Sequence, residues 1–306
     1  MSEVIKGTLF HIIHGSFVDG YGIRTTVFLK GCPLRCHWCC NPEGQLQRPE
    51  LKFSASLCNG CGNCIDVCPE EAIKITAGEE KHIEIDRKLC TNCGECIGAC
   101  YTGALDWFGG EYTVNEVFDI VKKDVPFYRS SGGGVSIGGG EPTSQAEFTH
   151  ALMRKCQENN IHTAVDTCGH TINERGLEIL EQADLLLFDL KGIDPEDHLK
   201  NTGVRNERIL SNLKHLNDMG RPIIVRVPLI PGRTDSPQNI QQEIELLSGL
   251  KSVERVDIMA YHEYGRIKYD QLGKEYVLTA KPYPEARLEE IKKMFEGAGL
   301  NVQLGG

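Results

Sequence analysis

No run of apolar residues in the sequence approaches the length that spans a bilayer, which excludes a membrane-spanning helix. The opening residues, MSEVIKGTLFHII, lack the layout of a secretory signal. No basic run is present and the formal net charge is −10, so the chain offers no electrostatic footprint for nucleic acid. An acidic balance of this kind reads as a solubility feature of the surface. The expectation is a cytoplasmic protein with neither nucleic acid nor membrane among its partners. Its 306 residues, 40% apolar and 25% charged, suffice to bury a core without staples.

Cysteine is what the chain has in excess. Of fourteen, twelve lie between Cys32 and Cys100, and only Cys156 and Cys168 lie outside. Disulfides would need an oxidising compartment that the sequence does not point to, so metal ligation is the better reading. Three groups are visible: Cys32, Cys36 and Cys39; then Cys58, Cys61, Cys64 and Cys68; then Cys90, Cys93, Cys96 and Cys100. The last two groups repeat at an interval of 32 residues, which marks an internal duplication.

Around that segment, strand and helix patterns alternate. Apolar β-rich runs fall at Arg24–Leu29, Gly134–Ile137, Ile161–Val165, Ala183–Leu190, Pro222–Pro228 and Val253–Ala260, with helical patterns between them. Continuous apolar runs such as LLLF and IIVRV suit strands covered on both faces by crossover helices. The expected fold is α/β, a partial (β/α)6 TIM-like barrel made of residues 1–47 and 108–306. A bacterial-ferredoxin-like domain is expected as an insertion over residues 48–107.

C-x2-C-x2-C-x3-C in duplicate implies two 4Fe–4S clusters, with the fourth cysteine of each run serving the other cluster. One cluster takes Cys58, Cys61, Cys64 and Cys100; the other takes Cys68, Cys90, Cys93 and Cys96. Paired cysteines also bind zinc. Eight in this duplicated order, with no histidine among them, favour iron and sulfur.

The spacing C-x3-C-x2-C of Cys32, Cys36 and Cys39 follows the first barrel strand, and Trp38 precedes its last cysteine. Three thiolates on a four-iron cluster leave one iron open, the mark of a catalytic centre. This loop resembles the signature of the radical S-adenosylmethionine superfamily. Cys40 is out of register and reads as a non-ligand of the cluster. Gly139, Gly140 and Glu141 end the second strand, where glycine permits close approach and a carboxylate can hold an ammonium group. By resemblance this motif takes the amino group of the methionine moiety. The serine usual before it is Gly138 here, its contact either missing or supplied by Ser136. Cys156 and Cys168 read as ordinary buried or strand-end thiols.

Beyond the superfamily, the chain resembles along nearly its whole length the activating enzymes of glycyl radical enzymes. Asp19-Gly20-Tyr21-Gly22-Ile23-Arg24 matches their D-G-P-G-I-R stretch. Tyr21 stands at the proline position, a change expected to relax the turn. The resemblance implies that S-adenosylmethionine lies against Trp38, Cys39, Cys40, Gly139, Gly140, Glu141, Asp166, Asp189, Leu190, Lys191 and His262. It implies that Asp166, Thr167 and Asp189 hold a monovalent sodium or potassium ion, and that Lys191 and Arg226 face the ligand or a partner peptide. Asp19 is expected to contact the partner backbone.

The implied activity is reductive cleavage of S-adenosylmethionine to methionine and a 5′-deoxyadenosyl radical, which takes hydrogen from a glycine of a partner glycyl radical enzyme. The implied inventory is three 4Fe–4S clusters, flavodoxin or ferredoxin as electron donor, and a monomeric chain. A radical enzyme acting on a small molecule is the alternative. A pure electron carrier would need neither the three-cysteine loop nor the barrel motifs.

Overall fold

The computed structural model describes residues 4–76, 82–171 and 173–305. The ends of the assigned barrel segments, 1–3 and 306, lie outside the described residues, as do 77–81 within the insertion and residue 172.

Thirteen strands are described. They are β1 (Lys6–Ser16), β2 (Arg24–Leu29), β3 (Glu50–Phe53), β4 (Ile73–Ile75), β5 (Ile83–Ile85), β6 (Leu105–Phe108) and β7 (Gly110–Thr113). There follow β8 (Gly134–Gly139), β9 (His162–Thr167), β10 (Leu185–Asp189), β11 (Ile223–Leu229), β12 (Val253–Ala260) and β13 (Val302–Leu304). Nine of them form one sheet in the order β13-β12-β11-β10-β9-β8-β2-β1-β7. From β2 to β13 every neighbour is parallel, which makes the open barrel wall. All six expected barrel strands are in this wall.

The central strands are buried along their length because helices cover their outer face. IIVRVPL of β11 is buried at every position, and LLLF of β10 likewise. Their outer side chains join Phe148, Leu152, Ile179, Leu213, Ile240 and Phe295 from the helices in one core. Several of the crossover helices start on side-chain caps: Thr113 forms a capping box with Glu116, Asn173 caps Gly176, and Ser236 caps Asn239.

Three features go beyond the expected six-strand barrel. β1 and β7 extend the sheet antiparallel beyond β2, and β13 adds a parallel edge at the far side. The loop between β1 and β2 crosses the lumen. Tyr21 Oη donates to Glu254 Oε2 at 2.8 Å, and the ring lies 5.5 Å from the Arg255 guanidinium. Tyr21 therefore tethers the turn that its substitution for proline was expected to relax.

The insertion is entered and left by β3 and β6, which pair antiparallel. Within it β4 pairs with β5, and one-turn helices occupy Asn63–Asp66 and Glu95–Ala99. The duplication is visible in the backbone, since Gly62 and Gly94 precede these turns with the same left-handed φ of 85°. Leu51, Ile73, Ile83 and Leu105 form a small core with Cys64 and Cys96. Among the described residues no helix is long and apolar enough to cross a membrane.

Candidate active site and cluster sites

A cavity of about 300 Å³ opens at the carboxyl ends of the barrel strands. Cys32, Cys36 and Cys39 line it, together with Trp38, Cys40, Gly139, Gly140, Asp166, Thr167, Asp189, Lys191, Arg226 and His262. The loop bearing the three thiols is held by backbone bonds from several elements. Arg35 N–H donates to the Thr202 carbonyl at 2.6 Å and His37 N–H to the Asn201 carbonyl at 3.1 Å, both at the end of the helix Pro195–Thr202. Cys32 N–H donates to the Gln45 carbonyl at 3.0 Å.

Burial pushes the Cys36 thiol up to about 12, against the pull of Lys191, and raises Cys39 as well. Thiols so placed carry negative charge only beside a strong positive centre, which fits iron. A hydrogen bond from Cys168 lowers Cys32 and raises Cys168 itself.

Two ion pairs line the wall. Lys191 Nζ lies 2.6 Å from Asp189 Oδ2. Burial pulls this ammonium down, but Asp189 and Cys36 outweigh it, and its pKa is raised. Arg226 Nη1 lies 3.2 Å from Asp166 Oδ2, and Nη2 donates to the Val18 carbonyl at 2.6 Å and lies 3.5 Å from Asp19 Oδ1. Burial pushes Asp166 up to about 7, with Arg226 opposing and Asp189 and Asp19 reinforcing. Arg226 Nε is buried without a partner.

Several expected residues are placed differently. The Glu141 side chain is fully buried away from the cavity. Its carboxylate accepts from Thr143 N–H (3.1 Å), Thr143 Oγ1 (2.8 Å), Thr167 Oγ1 (2.9 Å) and Cys168 N–H (2.8 Å). Glu141 therefore braces the end of β9, and the motif meets the cavity through Gly139 and Gly140. Leu190 points into the core and is not on the cavity wall. Ser136 donates to the Asp19 carbonyl at 2.6 Å and accepts from Arg24 Nε, so it supplies no cavity contact. A Cβ at Gly138 would stand 2.9 Å from that of Asp166, which accounts for the missing serine. Asp19 lines the cavity, yet its Oδ2 accepts from both Ser16 Oγ and Thr26 Oγ1 at 2.6 Å.

Cys168 and Tyr261, which no motif singles out, also line the cavity. Adjacency to Asp166-Thr167 was the available signal for Cys168. Tyr261 and its neighbours Ile230 and Met259 read only as strand-end apolar residues.

In the insertion, Cys58, Cys61, Cys64 and Cys100 line one small pocket, and Cys68, Cys90, Cys93 and Cys96 line another. Burial pushes Cys64 and Cys96 each up to about 11. Among the described residues no three His, Cys, Asp or Glu side chains are grouped to hold a single metal ion.

Comparison with known proteins agrees with this geometry. The model of the radical SAM superfamily matches residues 96–244, and that of the 4Fe-4S dicluster domain matches residues 57–104. The chain is 42% identical to the trans-4-hydroxy-L-proline dehydratase activating enzyme of Clostridioides difficile, over 95% of this chain and 96% of that one. It is 40% identical to the choline trimethylamine-lyase activating enzyme of Oleidesulfovibrio alaskensis, over 94% of each. The chain belongs to the radical S-adenosylmethionine activating enzymes of glycyl radical enzymes.

The activating enzyme cleaves S-adenosylmethionine and generates the radical that activates a glycyl radical enzyme. It carries a barrel 4Fe–4S site and an auxiliary dicluster domain. Streptococcus suis SuiB bound to its precursor peptide shares the fold, with a TM-score of 0.57 at 16% identity over 94% of this chain and 50% of that one.

Proposed function

We propose that Cys32, Cys36 and Cys39 hold the barrel cluster. The two thiol sets lining separate pockets hold two further 4Fe–4S clusters, and residues 48–107 form the unit inserted into the barrel of 1–47 and 108–306. When bound, the barrel cluster supplies the electron that breaks the bond from the sulfonium to the 5′ carbon. The chain's own part is positioning. Gly139 and Gly140 present backbone to the methionine amine. Lys191, kept charged by Asp189, attracts the carboxylate. Trp38, Leu34, Ile230 and His262 enclose the adenosyl end.

The observation that carries this reading is the convergence of three thiols and two lumen ion pairs on one cavity. A sodium or potassium ion at Asp166, Thr167 and Asp189 is part of this reading. Without it Arg226 and Lys191 are the counter-charges of the two carboxylates, and the Thr167 hydroxyl donates to Glu141.

Flavodoxin or ferredoxin is the donor we infer, with the insertion's clusters as relay. We take the chain to act as a monomer. The reading places the enzyme in the cytoplasm, where thiols remain reduced. The partner belongs to the group served by the relatives, which also include activating enzymes of 4-hydroxyphenylacetate decarboxylase and isethionate sulfite-lyase at 38% and 41% identity. The test is to incubate the reconstituted enzyme, S-adenosylmethionine and reductant with each such lyase, dehydratase or decarboxylase. A glycyl radical signal in one of them identifies the partner. Cleavage of S-adenosylmethionine with no radical in any would favour a small-molecule substrate.

A further inference from the structure

Two glutamates and three lysines meet where the insertion joins the barrel, outside the cavity. Lys30, two residues before Cys32, is fully buried. Its Nζ lies 3.3 Å from Glu50 Oε2 and donates to the Glu43 carbonyl. Glu50, 7% exposed, opens β3, and its other oxygen is 3.0 Å from Lys274 Nζ. Glu43, 2% exposed, sits in the turn after Cys39 and Cys40, with Oε1 2.6 Å from Lys268 Nζ. Lys268 also donates to Asn41 Oδ1 at 2.7 Å.

Lys268 and Lys274 belong to the arm that runs on from His262 through the helix Arg266–Leu272. The insertion holds the same arm, since Arg87 donates to the Gln271 carbonyl at 3.0 Å and Gln271 Nε2 to Ser54 Oγ at 3.1 Å.

Burying ion pairs at a junction is a poor route to stability, because apolar packing of the same volume does as well or better. Charge pairs are suited to fixing register, since each carboxylate accepts only a few geometries. Every segment joined here carries a functional part. Lys30 leads into Cys32, Glu43 follows Cys40, Glu50 begins the cluster insertion, and the lysine arm carries His262.

We propose that these pairs form a strut, with Glu50 as its hub, that sets the spacing between the insertion's clusters and the barrel cluster loop. Glu50 and Lys274 are thus positioning residues for electron transfer from the insertion. Tunnelling falls steeply with distance, so a spacing fixed by a buried hub gives one rate where mobile surface contacts would give many. The rate consequence rests on the relay reading of the insertion; the spacing does not.

The test uses the full chain with its clusters reconstituted, unmodified and as Glu50→Gln, Lys274→Met and Lys274→Arg. The Lys274 side chain is 29% exposed, so its replacement leaves the core closed. Pulsed electron paramagnetic resonance reads the magnetic coupling between reduced clusters. Rapid mixing with reduced flavodoxin reads the rate at which the barrel cluster is reduced.

Glu50→Gln and Lys274→Met should broaden or shift the coupling and slow that rate about tenfold to a hundredfold, the scale a small misplacement carries in positioned chemistry. Lys274→Arg, which keeps charge and reach, should restore both, and dithionite should reduce the barrel cluster equally in all. Altered coupling with an unaltered rate supports the strut and removes the relay. Unaltered coupling in Lys274→Met overturns the strut, and that variant decides alone if Glu50→Gln fails to fold.

Discussion

Arg226 Nη1 lies 3.2 Å from Asp166 Oδ2 across the lumen, from strands β11 and β9 that are separated by β10. The same guanidinium holds the β1–β2 loop through Val18 and Asp19, so one buried cation closes the lumen to two carboxylates and a strap. Arg226→Leu leaves both carboxylates without it and should cost about 3–5 kcal/mol of stability, with loss of partner activation. Asp166→Asn should cost less than that, because Arg226 keeps its bonds to the Val18 carbonyl and to Asp19 and no buried carboxylate is left unpaired. Denaturant unfolding of both variants checks the contrast; equal losses would contradict it.

The barrel was legible because its strands are covered on both faces. β2 and β12 were read to the residue from RTTVFL and VERVDIMA, and the other four to within three residues at each end. What escaped had no periodic apolar signal. β1 has mixed exposure and carries two histidines and two glycines. The helix Pro195–Thr202, which holds the thiol loop, has a single large apolar residue and forms on the Asp194 cap. At the site, spacing gave the thiols but not side-chain direction. Glu141 and Leu190 are next to cavity residues in sequence and face away from the cavity in space.

Separate thiol pockets predict separate iron pools. After anaerobic reconstitution the chain should hold about twelve irons, from three four-iron clusters. Replacing Cys32, Cys36 and Cys39 together with alanine should remove about a third. Loss of nearly all iron, or of none, would contradict independent sites.

Cys40 lines the cavity beside the loop, and its backbone packs on Gly265. Cys40→Ala should retain S-adenosylmethionine cleavage, because the open iron is left to the substrate. An inactive variant lacking one cluster would make Cys40 a ligand and shift the register.

Glu243, on the helix Pro237–Ser248, is 1% exposed. Burial, opposed by a hydrogen bond from Asn239, pushes its carboxyl from an ordinary 4.5 up to about 8. The folded chain therefore keeps a proton that the unfolded chain gives up. That contribution is fully present below pH 4.5 and is lost as pH rises through about 8, at about 1.4 kcal/mol per unit between. Glu243→Gln should lose less stability than the unmodified enzyme between about pH 6 and pH 9. Parallel pH profiles of unfolding would show that Glu243 is already ionised in the fold.

Delivery of a radical from the cavity to a glycine of a partner protein can be followed atom by atom. The direct measurement supplies the reconstituted enzyme with S-adenosylmethionine, reductant and a partner whose glycines carry deuterium at the α-carbon. Mass spectrometry of the 5′-deoxyadenosine and the paramagnetic resonance of the partner are read together. Delivery to the partner gives one deuterium per 5′-deoxyadenosine formed in step with activation, and a glycyl radical whose α-hydrogen splitting reappears when unlabelled glycine is used. Unlabelled 5′-deoxyadenosine from the deuterated partner, with no radical on it, would rule such delivery out.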